Sequence, residues 1–126
     1  MKTHARHLAV ALLLLLTLTL PTPQAVMAAT ATVTDCGDSG GAGQLRAQIG
    51  VAAPGDRINI VACTITLTTI ANPLIINKTL TITGQTEQNT LIAGGAGWKD
   101  RIFEINGGNS LTVKFQNLSS VMRSLP

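Results

Sequence analysis

Leu80-Thr-Ile-Thr-Gly84 alternates apolar side chains with small hydroxyl residues and ends on glycine. Such alternation marks a strand buried on one face, with Leu80 and Ile82 inward and Thr81 and Thr83 outward. The same form recurs on both sides. Upstream lie Ile58-Asn-Ile60, Thr64-Ile-Thr-Leu-Thr68 and Leu74-Ile-Ile-Asn77. Downstream lie Leu91-Ile-Ala-Gly94, Ile102-Phe-Glu-Ile-Asn106 and Leu111-Thr-Val-Lys-Phe115. No helical stretch separates these pieces, so the chain is expected to coil on itself rather than build βαβ units.

The pieces fall into three rows. Ile58, Leu80 and Leu111 begin comparable strands, as do Ile65 and Leu91, and Leu74 and Ile102. Their spacing lies in the range of solenoid repeats, which gives two or three stacked rungs. Asn77, Gly84, Gly94, Gly95, Asn106, Gly107 and Gly108 close strands at bends expected to need φ > 0. Alternation puts Ile58, Ile60, Ile65, Leu67, Leu80, Ile82, Leu111, Val113 and Phe115 inside. Thr64, Thr66, Thr68, Thr79, Thr81, Thr83, Thr112 and Lys114 then face outward.

Ahead of this zone, Ala29 to Thr34 alternates as an opening strand, and Asp35 to Gly43 is a glycine-rich turn. Gln44 to Ala53 is the one helical window, with Leu45, Ile49 and Ala52 on one face. Pro54-Gly55-Asp56 ends it with a turn. The first residues read differently. Lys2, His4, Arg6 and His7 make a basic start, Leu8 to Leu20 is almost purely apolar, and Pro21 and Pro23 break the run before Val26-Met27-Ala28. That order describes a secretory signal peptide over residues 1–28, cleaved between Ala28 and Ala29. The apolar run falls short of the about 20 residues that a membrane span needs; an uncleaved anchor is the alternative. Segments 29–57, 58–118 and 119–126 then hold the strand, turn and capping helix, the rungs, and an irregular tail.

Loss of Lys2 and Arg6 with the leader lowers the formal charge from +3 to +1. No cluster of Lys or Arg remains to form the footprint that nucleic acid requires. Both histidines, His4 and His7, lie in the leader, so the exported chain would carry no His base or His metal ligand. Cys36 and Cys63 would meet an oxidising compartment, where a lone pair is expected to form a disulfide; two buried free thiols are the alternative. Two cysteines without histidine make a poor zinc site.

Cys36-Gly-Asp-Ser-Gly-Gly41 carries the residues that surround a serine-protease nucleophile, but Ser39 lacks a base to take its proton. A turn in which Ser39 or Asp38 bonds backbone amides is the expectation. Asp35 and Asp38 fall short of the six to eight oxygens that calcium wants. Gly94-Gly-Ala-Gly97 is followed by no Lys-Ser/Thr and no helix, so it is no phosphate loop. Asn77-Lys-Thr79 and Asn117-Leu-Ser119 match glycosylation acceptors of a kind that recurs by chance. Even threonine arrays could bind ice, but the uneven steps between rungs provide no lattice. Carbohydrate chemistry would draw on Asp56, Glu87, Asp100 and Glu104 as outward acids, with Arg57, Lys99 and Arg101 as partners. Lys99-Asp100-Arg101 beside Trp98 alone sets opposite charges next to an aromatic ring, and a solvated loop explains it equally well. No catalytic, cofactor or metal residue is assigned.

Taken in order, Cys36, Leu45-Arg46-Ala47-Gln48-Ile49, Gly55-Asp56-Arg57-Ile58, Thr64-Ile-Thr-Leu-Thr68, Leu80-Thr-Ile-Thr-Gly84 and Arg101-Ile-Phe-Glu-Ile-Asn106 resemble the N-terminal cap of exported bacterial right-handed parallel β-helix proteins. These belong to the pectin-lyase-like superfamily, many of them long surface or adhesin-like proteins. Gln48 departs from that pattern, which has Ala there. The resemblance implies an all-β, right-handed, single-stranded parallel β-helix, here a helix-capped N-terminal fragment. It implies a secreted or surface-held, non-catalytic structural role, with carbohydrate or cell-surface components as partners. A remnant of a polysaccharide lyase or glycoside hydrolase is the alternative; the lyases of this superfamily carry their catalytic residues on middle rungs that this chain lacks. Ser119 to Pro126 follows no strand pattern. The end therefore reads as a truncated or frameshifted frame, or as the opening piece of a longer protein whose open last rung invites self-association.

Overall fold

The computed structural model describes residues 27–68 and 72–121. Residues 1–26, which carry nearly all of the signal-peptide reading, and the tail 122–126 lie outside it. The strands are β1 (Thr30–Val33), β2 (Arg57–Ile60), β3 (Cys63–Leu67), β4 (Leu74–Ile76), β5 (Leu80–Thr83), β6 (Thr90–Gly94), β7 (Phe103–Ile105), β8 (Val113–Gln116) and β9 (Ser119–Val121). One short helix, α1 (Leu45–Val51), lies between β1 and β2. All pairings are parallel and join strands that are distant in sequence. The sheets run β1-β2-β5-β8, β3-β6-β9 and β4-β7, a β-solenoid of about three turns.

The three expected rows are therefore the three sheets, but their register is set differently. Ile58 lies opposite Ile82 and Leu80 opposite Val113, so the strands of this sheet slide by two residues against the expected starts. A slide of two keeps each side chain on its face, and the inward set survives. In the second sheet the slide is one. Leu91 lies opposite Thr64, and Ile92 opposite Ile65, so Leu91 turns outward and Thr90 inward. Thr90 is fully buried because its Oγ1 accepts the Gln85 N–H at 3.0 Å, which removes the cost of an unpaired hydroxyl. Ser119–Val121 is a correction to the irregular tail: it pairs in parallel with β6, Ser119 opposite Leu91 and Val121 opposite Ala93.

The bends also differ from expectation. None of the seven residues expected at φ > 0 adopts it; positive φ occurs at Gly40, Gly55, Gly97 and Asn117. Gly84 and Gly94 are needed for space instead. A Cβ at Gly84 would collide with the Asn117 carbonyl and the Thr90 side chain, and one at Gly94 would enter the Trp98 ring.

Stacked inward residues form one core. Ile58 and Ile82, Ile65 and Ile92, and the buried Leu74 and Ile76 of β4 line the three inner faces, and Val33 extends the core to β1. Each fully buried Ile or Leu contributes about 1.5–3 kcal/mol. Helix α1 turns Leu45 and Ile49 into this core and packs against β1, β2 and β4. Its last carbonyls are held from outside: Lys78 Nζ donates to Gly50 O at 3.1 Å and to Ala52 O at 3.0 Å. Cys36 and Cys63 form a disulfide, with Cα atoms 6.3 Å apart, that ties the loop after β1 to the start of β3. At β8 the inward column runs out of cover, and Phe115, opposite Ile82, is 40% exposed.

Candidate functional site

Three places gather polar side chains. The first is the loop Cys36–Gly41, folded around Gln44, the N-cap residue of α1. Gln44 is buried. Its Oε1 accepts the N–H groups of Gly40 at 2.7 Å and Gly41 at 2.9 Å, and its Nε2 donates to Asp35 Oδ2 at 2.8 Å and Ser39 Oγ at 3.1 Å. The backbone N–H of Gly37, and after it the Gln44 amide, hold the Asp35 carboxyl below the usual aspartate range. Ser39 therefore faces an amide that cannot take its proton, and no nucleophile is built here.

Asp38, next along, is buried and clasped by Arg46 of α1. Arg46 Nε donates to Asp38 Oδ1 at 2.7 Å and Nη2 to Oδ2 at 2.9 Å. Nη1 of the same guanidinium donates to Pro73 O at 3.1 Å. This fork joins the loop, the helix and the approach to β4. Arg46 was not among the core-face residues Leu45, Ile49 and Ala52 expected from the helical window, and no partner was assigned to it. An Arg one residue after a buried Leu, with an Asp in the preceding turn, is the signal that was there to find.

The second place is the outward face of the four-stranded sheet. Thr32, Asn59, Thr83 and Gln116 stand in one column, and Thr30, Arg57, Thr81 and Lys114 in the next. Arg57 Nη1 reaches along the sheet to Thr83 Oγ1 at 2.9 Å and Gln116 Oε1 at 3.3 Å. This face combines hydroxyls, amides and two cations, and its two columns hold no carboxylate. It can donate and accept hydrogen bonds over three rung spacings, and can attract an anion. A shallow depression runs beside it along Thr32, Asn59 and Gln85.

The third place is the loop around Trp98. The structure does not assemble it as a platform. The Trp98 ring is buried against Gly94, while Asp100 and Arg101 pair at 3.3 Å on the open surface. The remaining expected acids are scattered. Glu87 is exposed and Glu104 half-buried on β7, whereas Asp56, expected to face outward, is buried and bonded to backbone amides. The cavities beside Arg46, Asn59, Lys78 and Thr64 are lined by none of these carboxylates. Among the described residues no group of His, Cys, Asp and Glu could hold a metal ion, and no helix is long and apolar enough to cross a membrane.

No family model matches the chain, and neither a curated protein nor a solved structure matches it.

Proposed function

We propose that this chain is the helix-capped opening of an exported, right-handed parallel β-helix with a structural, non-catalytic role in a surface or adhesin-like protein. The observation that carries the reading is the set of three parallel sheets in register around one core. Helix α1 packs against β1, β2 and β4, the disulfide joins the loop after β1 to β3, and apolar side chains are exposed on β7 and β8. A disulfide suits an oxidising compartment, and parallel crossovers are right-handed in nearly all proteins. The uncovered end holds the outer edges of β7, β8 and β9, with Ile105 54% exposed; further rungs or a second copy would cover it.

The partner class we assign is carbohydrate or another cell-surface component, met by the face that carries Arg57 and Lys114. The test is the exported chain incubated with polygalacturonate and neutral polysaccharides, followed for binding and for unsaturated or reducing-end products. Binding without product is expected, weakened by Arg57→Ala with Lys114→Ala. Turnover would overturn the non-catalytic role in favour of a lyase or hydrolase remnant. Absence of any binding would overturn the carbohydrate partner.

A further inference from the structure

Two aspartates are buried, and they are compensated differently. Asp38 has the Arg46 guanidinium against both oxygens. Asp56, only 9% exposed, has no cation among the described residues. Its carboxylate is held by two backbone N–H groups: Ala53 N–H donates to Oδ2 at 2.7 Å, and Ala29 N–H donates to Oδ1 at 2.8 Å. A buried carboxylate ordinarily sits beside a positive charge, because neutral donors replace only part of its lost hydration. The neighbouring cation does not serve: Arg57 turns outward to Thr83 and Gln116.

One of the two donors is the residue at the predicted processing junction. Ala29 is fixed on both sides, since its carbonyl also accepts the Arg57 N–H at 2.9 Å as β1 joins β2. We propose that Asp56 is a receptor site for a primary α-ammonium, that of Ala29 itself once the leader is removed. The inference rests on reading residues 1–28 as a cleaved signal. A signal-processing protease adds water across the Ala28–Ala29 peptide bond. Ala28 leaves with the carboxylate, and the Ala29 nitrogen takes up protons to become an ammonium. The nitrogen that was a neutral donor 2.8 Å from Asp56 Oδ1 thereby becomes its counter-ion, without movement of β1. Charge-assisted bonds of this kind are shorter and roughly twice as strong as neutral ones. Processing thus stabilises the first strand of the coil at the moment the chain is freed, and the precursor lacks that contribution.

The experiment compares chains that begin at Ala29 with a free amine and with an acetylated amine. Acetylation keeps the N–H donor and removes the charge. The free-amine chain is expected to melt several degrees higher, and added salt should narrow the gap. In Asp56→Asn the gap should close. Equal melting temperatures with Asp56 in place would overturn the pairing, whatever the fate of the variant. N-terminal sequencing of the exported protein tests the processing separately. A start at Ala29 supports it, and a start elsewhere overturns the processing step, while the acetylation comparison still decides whether Asp56 receives the amine.

Discussion

The indole of Trp98 occupies the space that a side chain at Gly94 would fill. Gly94 lies opposite the buried Leu67 in the ladder, so the ring supplies the inward bulk that glycine omits from that rung. Gly94→Ala should push the ring out at a cost of about 1–3 kcal/mol, and Trp98→Ala should cost about 3–5 kcal/mol. The double variant should cost less than the sum, because the ring that clashes is already gone. The Trp98 N–H is buried without an acceptor, so Trp98→Phe should be milder than Trp98→Ala. Urea denaturation of the four variants checks all three statements.

Ile49 is 4% exposed on the core face of α1, whereas Val51 on the same helix lies open to solvent. Ile49→Asp should destabilise by several kcal/mol, since it buries an unpaired charge. Val51→Lys should stay within about 0.5 kcal/mol. An unchanged melting temperature for Ile49→Asp would remove the helix from its place against the core.

Removing the disulfide by Cys36→Ala with Cys63→Ala should cost about 3–4 kcal/mol on the chain-entropy account of a loop this long. Mass spectrometry of the non-reduced protein should show the two peptides joined. Two alkylatable thiols in freshly exported protein would contradict it.

Asp38 is reached by both faces of the Arg46 fork, and its buried charge has no second cation among the described residues. Arg46→Ala should therefore cost about 3–5 kcal/mol, most of it the penalty of leaving the buried Asp38 charge with the Thr68 N–H but no counter-ion. Arg46→Lys should recover only part, because one ammonium cannot span both carboxylate oxygens and Pro73 O. Thermal melts of the two variants separate fork geometry from charge.

The uncovered edge should exchange first. Amide hydrogen exchange is expected to be fastest in β8 and β9 and slowest in β2 and β5, which are paired on both sides. Light scattering should show concentration-dependent association that Phe115→Lys reduces. A monomer with protected amides in β8 would mean that the end is closed, and that the coil needs no further rung.

Which strands share a sheet was legible in the chain because alternation at Leu80, Ile82, Ile58 and Ile65 leaves one face apolar. Register was not, since it depends on how many residues each bend consumes, and Thr90 could enter the core only with the Gln85 amide beside it. Likewise Gly84 and Gly94 were read as bends needing φ > 0 when they are spaces, a distinction that needs the neighbour in view. β9 was missed because Ser-Ser-Val carries no alternation; it is held by backbone bonds to β6. The pairing of Cys36 with Cys63 followed from the export reading and from the chain carrying two cysteines. The Asp38–Arg46 pair left a local signal that went unread, whereas Asp56 and Ala29 are related by no local pattern.

Every ladder described in this coil is built on a strand nearer the N-terminus: β2 on β1, β5 on β2, β8 on β5, β6 on β3, β9 on β6 and β7 on β4. A chain delivered N-terminus first, from a ribosome or through a translocation pore, can thus lay each strand onto a template that has already emerged. Both cysteines of the Cys36–Cys63 cross-link precede β5, where the second turn begins, so the bond can close before that turn arrives. Assembly of this kind proceeds like masonry, course upon course, each laid against one already in place.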